Sequence, residues 1–420
     1  MMPKRVIALL VILLVICVGV VVFCLPTGKG DIARLIPNDA VALARIQPQA
    51  LHEMLPDLMA ADAEALGISQ TKPSYAFLDK KLTPFAVVPL QDEDKFRSQL
   101  EAKGYQLSIL RNYDYAKGEY SVLIDEDFAL VAFTTGTSVE EDLLDYAKPA
   151  DEPESVLVEE LPDDPSPVSV SASGRLLFNQ YVTELLPFDK KSLSALSGAV
   201  LTGSLSRNDE GLVAELALKG TDDASEQFVE ELHKVLRPIE GNLLKKVLSD
   251  STQVVLCLNV QGDAVLQFLR KIPACRLGLL ALNMYVEANQ MIKSVDGDVA
   301  IVAKSIAIDE PRITLHAELN NTDFLHNDWN VGGKSGFLSC RALSPTDFQL
   351  TLNQMDMIRF GVKDDHVLYV TMGDDSPTVA ASHILDPNMQ GERLFLQFDA
   401  AILSALMDVK HLGKVTLKVK

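Results

Sequence analysis

Residues Val41–Ile46 read VALARI, a short apolar run closed by Gln47-Pro48. Leu51, Met54, Leu55 and Leu58 follow at i, i+3, i+4 and i+7, the spacing of one helix face. Pro56 breaks or restarts that helix. The same strand-then-helix unit recurs. Val168–Ala172 (VSVSA) precedes Phe178, Tyr181, Val182 and Leu185; Val254–Val260 (VVLCLNV) precedes Val265, Phe268, Leu269 and Ile272; Leu394–Phe398 (LFLQF) precedes Ile402, Ala405, Leu406 and Val409. Pro187 and Pro273 end the second and third helices. Recurrence of one supersecondary unit marks a repeat-built protein.

Hairpin signals lie between the units. Tyr120–Ile124 and Phe128–Phe133 flank an acidic turn, as do Ile358–Val362 and His366–Met372 around Lys363-Asp364-Asp365. Ala199–Ser206 with Gly211–Leu218, and Val299–Ile308 with Arg312–Leu319, follow the same plan. Apolar alternation between turn clusters is the mark of half-exposed antiparallel strands. Capping-box spacing at Ser138-x-x-Glu141 and Asp223-x-x-Glu226 opens helices over about Val139–Ala147 and Ala224–Leu236. Together these predict an α+β fold: an N-terminal transmembrane helix, then repeated strand-helix units with helices packed on antiparallel sheets.

Val6–Leu25 is an uncharged apolar run of 20 residues, long enough to cross a bilayer core of about 30 Å. Lys4 and Arg5 before it favour a cytoplasmic N-terminus with the remainder outside. The alternatives are a lipoprotein acylated at Cys24, which Phe23 disfavours, and a cleaved signal peptide, which the run's length and its missing A-x-A disfavour. All three place residues 26–420 outside the cytoplasm. The expected division is a tip at 1–5, the anchor at 6–25, a first α+β domain at 31–150, an acidic linker at 151–165 and a second α+β region at 166–420.

The 420 residues carry 58 acids against 38 Lys and Arg, net −20. Without Lys4 and Arg5 the external part is −22, which argues against nucleic acid, whose phosphates need basic clusters. Residues 140–164 hold eleven acids and one lysine, net −10, and read as a solvated seam.

No motif supplies a reaction. Gly332-Gly333-Lys334-Ser335 ends like a phosphate loop, but Asp328 stands where its first glycine belongs, so no nucleotide is expected. The histidines at 52, 233, 316, 326, 366, 383 and 411 show no metal-binding spacing. The acidic turns at Asp296-Gly297-Asp298, Asp364-Asp365 and Gly373-Asp374-Asp375 lack the ligand set of a calcium loop. No G-x-S-x-G is present, and with one tryptophan, Trp329, a sugar platform is poorly supported. Of the external cysteines, Cys257, Cys275 and Cys340, Cys257 sits beside Val255 in an apolar strand and reads as a buried thiol. Met54, Met59, Met284 and Met291 suit either a core or an apolar groove. No catalytic, cofactor-binding or metal residue is therefore expected.

Ile36-Pro37-Asn38-Asp39-Ala40, followed by VALARIQPQALHEML, resembles the opening of a family of uncharacterised Bacteroidetes envelope proteins, many of them lipoproteins. The resemblance covers roughly residues 31–60. It implies an external α+β region of repeated units behind a membrane signal, and it carries over no catalytic residue. The expected function is a non-enzymatic binding or scaffolding role in the cell envelope, with the membrane through Val6–Leu25 and another envelope protein as partners. The alternatives are an extracytoplasmic hydrolase using dispersed Asp, Glu and His, and a carrier of a lipid or apolar peptide.

Overall fold

The computed structural model describes residues 32–54, 66–148, 155–178, 190–248, 252–283, 287–305, 312–326, 338–352, 355–363, 366–372, 389–399 and 414–420. It corrects the expected fold class. Strands carry the architecture, twenty of them among the described residues, and the longest described helix is Asp223–Val235. An α+β fold of helices layered on sheets does not describe this arrangement. The transmembrane helix of that fold class has no counterpart either: among the described residues no helix is long and apolar enough to cross a membrane. Val6–Leu25 itself lies outside them. So do the helix residues expected after Val168–Ala172 and Leu394–Phe398 at 181–185 and 402–409.

Two compact units are present. The first takes the described residues up to Leu186, with Leu193–Arg207 and Ala217–Glu226. The second takes Pro187–Ser192, Asn208–Leu216 and Gln227–Lys420.

The first unit contains β1 (Ala42–Ile46), β2 (Ser74–Leu78), β3 (Pro84–Pro89), β4 (Gln106–Leu110), β5 (Tyr113–Lys117), β6 (Ser121–Ile124), β7 (Phe128–Ala132), β8 (Val168–Ser173) and β9 (Ala199–Asn208). Their lateral order is β4-β5-β6-β7-β3-β2-β1-β8-β9, antiparallel throughout. β2 and β3 (SYAFL and PFAVVP) are buried on both faces, so neither alternates. Arg111, in the left-handed region at φ 59, turns β4 tightly into β5. Phe77 stacks on Phe85 at 5.3 Å, and Tyr146 from the helix Thr137–Tyr146 meets both rings edge-on. Burying each such ring contributes roughly 2–3 kcal/mol. Residues Ser155–Asp164 of the acidic seam pack here too: Leu157 and Leu161 enter the core, and Arg45 donates to the carbonyls of Pro162 and Asp164.

The second unit contains β10 (Gly211–Gly220, through Leu216), β11 (Leu236–Arg237), β12 (Val254–Gln261), β13 (Val295–Ser305), β14 (Arg312–Leu319), β15 (Leu338–Ser344), β16 (Asp347–Leu352), β17 (Met355–Lys363), β18 (Val367–Met372), β19 (Leu394–Asp399) and β20 (Lys414–Val419). The order is β15-β16-β17-β18-β14-β13-β12-β19-β20-β10, with β11 beside the end of β12. Only β20–β10 is parallel among these pairs.

Strands β12 to β20 repeat the order of β1 to β9, strand for strand. The repeat is thus a nine-strand arrangement made twice. The four strands that begin the sequence units are β1, β8, β12 and β19, and they pair as β1–β8 and β12–β19. The helices after β1 and β12 each join antiparallel neighbours in the same sheet.

Candidate functional site

Strand alternation builds a polar end on the second unit. Arg359, Gly361 and Lys363 stand two apart on β17, with Thr371, Tyr369 and Val367 opposite them on β18. β16 places Asp347 opposite Gly361, and β14 places His316 opposite Tyr369 and Thr314 opposite Thr371. Residues two apart, and cross-strand partners, share a face, so these groups line one side. Phe348, Phe360, Leu368 and Ala317, at the intervening positions, fill an apolar cluster on the other side.

A cavity of about 300 Å³ opens on the polar side, lined by Ser344, Thr346, Asp347, Arg359, Lys363 and Tyr369 among others. Arg359 Nε donates to both Asp347 carboxylate oxygens at 2.9 and 3.1 Å, and Nη2 donates to Oδ2. Tyr369 Oη donates to Asp347 Oδ1 at 2.7 Å. Lys363 Nζ lies 5.6 Å from the Tyr369 ring centroid, a cation–π distance. A Cβ at Gly361 would stand 2.3 Å from Thr346 O and 2.8 Å from Tyr369 Oη, so the close approach requires glycine.

The Arg359 guanidinium and the Tyr369 hydroxyl hold the Asp347 carboxyl below its usual range. Burial, then the carboxylate, push the Tyr369 phenol up to about 12. Burial lowers Lys363. Burial, then Lys363, bring His316 down to about 4, and its Nδ1 has no hydrogen-bond partner among the described residues. Asp347 is therefore a fixed anion and Tyr369 a fixed donor across the physiological range. Of the two cations that line the cavity, Arg359 is paired with Asp347, and Lys363 has no carboxylate partner among the described residues.

The first unit supplies an internal comparison. Laying the pair Phe85↔Ala132 on Ile313↔Met372 sets Val88 and Ala129 at the places of His316 and Tyr369. Val122 and Ile124 then take those of Arg359 and Gly361, and Asp114 falls on Asp347. Val88, Ala129, Val122 and Ile124 are all buried. One copy is apolar where the other is a polar pocket. Only the aspartate is common, and in the first unit Arg97 from a helix pairs with it.

A second acidic group in the second unit has a structural role. Buried Asp298 accepts from the backbone N–H of Glu240 and Gly241 at 3.0 and 2.7 Å, and from Asn259 Nδ2 at 2.9 Å. This pins the approach to the helix Asn242–Val247. Glu318 accepts from the Asp298 N–H, and burial raises its carboxyl.

The residues singled out in the sequence are dispersed. His52, His233, His316, His326 and His366 do not converge, and among the described residues no three His, Cys, Asp or Glu are placed to hold a metal. Cys257 and Cys340 are buried in different apolar clusters, and burial raises both thiols, Cys340 to about 11. Residues 328–335, including Trp329 and the Gly-Gly-Lys-Ser run, lie outside the described residues except as sequence. So do Met59, Met284, His383, His411 and the acidic turns at 364–365 and 373–375. No motif marks Arg359, Lys363, Tyr369 and Asp347 in the sequence. The available signal was the alternation R-x-G-x-K opposite V-x-Y-x-T within one hairpin.

No protein-family model matches the chain, and no curated protein matches it. Among solved structures, the chain is similar to TP0453 in its crystal form I, at 12% identity, covering 50% of this chain and 88% of that one, with a TM-score of 0.30. A similarity at that level carries no argument here.

Proposed function

We propose that the chain is a non-enzymatic binding protein of the cell envelope whose second unit takes a small anionic ligand. The carrying observation is the contrast between the copies. Duplicated positions hold Val, Ala, Val and Ile in one unit and His, Tyr, Arg and Gly, with Lys363 beside them, in the other. A buried apolar face serves packing, whereas a concave one lined with fixed donors serves recognition. Lys363 and the Ser344 and Thr346 hydroxyls line the cavity as donors for acceptor oxygens, while Asp347 orients Arg359.

Binding is favoured over hydrolysis by the protonation states. A general acid or base works best with a pKa near the working pH, and Asp347 and Tyr369 are pushed away from it in opposite directions. The cavity's polar lining favours an anion over a lipid or apolar peptide. The Val6–Leu25 run and the resemblance at Ile36–Ala40 support membrane association and an extracytoplasmic place.

Calorimetric titration of the full chain in detergent with inorganic phosphate, sulfate and short dicarboxylates tests this reading. Saturable one-site binding is expected, weakened about tenfold or more by Lys363→Met, the loss of one charge-assisted contact. Turnover of an ester, amide or glycoside, abolished by Asp347→Asn, would overturn it, as would no saturable binding to any of the anions.

A further inference from the structure

The helix Pro273–Asn283 (PACRLGLLALN) carries an unusual surface. It packs beside Gly262–Lys271 and Ala288–Ser294, with Leu279 turned inward at 8% exposure. Leu277, Leu280 and Leu282 are 65%, 63% and 51% exposed. Five large apolar side chains are at least half exposed among the described residues, and three of them stand on these eleven positions. Leu277 and Leu280 are i,i+3 neighbours on one face, flanked by exposed Arg276 and Ala281.

The charge around this face is opposite to that of the chain. Residues 270–283 contain Arg270, Lys271 and Arg276 and no acid, net +3 in a protein of net −20. Lys271 pairs with Glu231. Arg270 and Arg276 are exposed and have no ion-pair partner among the described residues. Exposed leucines with a basic margin are the surface that anionic lipid headgroups recognise: the apolar side chains enter the acyl boundary while the guanidinium groups meet phosphates.

We infer that Pro273–Asn283 docks on an anionic lipid surface, a contact separate from the anion pocket. Area argues for lipid over a protein partner. Leu277 and Leu280, the two exposed leucines that share a face, offer on the order of 200 Å², against roughly 1,000 Å² for a stable protein interface.

The test uses the full chain carrying Leu280→Trp in a Trp329→Phe background. It is reconstituted in vesicles of phosphatidylcholine alone, or of phosphatidylcholine with phosphatidylglycerol in equal parts. The Val6–Leu25 run is present in both, so a difference between them reports the helix. With the anionic lipid the introduced indole is expected to shift to the blue and to be quenched by brominated acyl chains. High salt and Arg270→Glu/Arg276→Glu should abolish both effects, since the attraction acts within a Debye length. An indole equally open to an aqueous quencher in both vesicles would overturn the inference. So would a concentration-dependent blue shift in detergent without lipid, which would identify the face as a contact between copies.

Discussion

Tyr369 on β18 donates its hydroxyl to Asp347 on β16 at 2.7 Å, over the intervening strand β17. The bond passes where β17 carries Gly361, paired with both residues in register. A side chain at that crossing would block it. The pocket is thus held by a bond that spans three strands, and its geometry rests on one position with no side chain.

Gly361→Ala is expected to destabilise the second unit by about 1–3 kcal/mol, because the added methyl falls against Thr346 O and Tyr369 Oη. Denaturant melts of the wild type, Gly361→Ala and Tyr369→Phe separate the causes. If crowding of the hydroxyl dominates, adding Tyr369→Phe to Gly361→Ala recovers part of the loss.

Asp347→Asn should cost about 2 kcal/mol at neutral pH, the scale of hydrogen bonds to a charged group, softened because the Arg359 side chain is 53% exposed. The sign with pH follows from the lowered carboxyl. Its contribution is complete above the unfolded value near 4 and is lost as pH falls through the lower folded value. A stability profile in acid should therefore flatten below about pH 4 in the variant.

His316 adds a separate acid sensitivity. It is neutral and buried, with its folded value near 4 against about 6.5 unfolded. The unfolded chain binds the extra proton between these values, so stability is complete above about pH 6.5 and falls as pH drops toward 4, by up to about 2–3 kcal/mol. His316→Leu should remove most of that slope. Identical slopes in wild type and variant would show that other groups set it.

Thiol labelling at pH 8 should separate the described cysteines. Cys275 is partly exposed on Pro273–Asn283, while Cys257 and Cys340 are buried with raised thiols. Mass spectrometry after brief labelling should find Cys275 modified first and the other two only after denaturation.

In the first unit, Phe85→Ala should cost about 3–5 kcal/mol, since Phe85 is 1% exposed between Phe77 and Tyr146. An equilibrium melt measures it, and a loss under 1 kcal/mol would mean that Tyr146 fills the space.

Much of the strand content was legible, and its organisation was not. Polar turn clusters between apolar runs located the hairpins now seen as β6–β7, β13–β14 and β17–β18; in β6–β7, buried nearly throughout, the acidic turn was the signal, whereas β17–β18 shows one face to an apolar cluster and one to the polar pocket. β2 and β3 were passed over because SYAFL and PFAVVP are buried on both sides and do not alternate. β4 and β5 turn through Arg111, a residue with no turn signature. The i,i+3,i+4 leucine stripes drew attention to helices, yet the pairing of β1 with β8 and of β12 with β19 is contact between strands more than 100 residues apart, which no local period encodes. The pocket was hidden for the same reason: Asp347, Arg359 and Tyr369 meet only when three strands align.

The nine-strand arrangement made twice gives this molecule a built-in blank. Any solute that perturbs backbone amides through ionic strength, pH or crowding reaches both copies at one concentration in one tube. A true ligand of the pocket would shift amide signals around Tyr369 and leave those around Ala129, its counterpart, where they were. The difference between two halves of a single chain then measures specificity without a second sample.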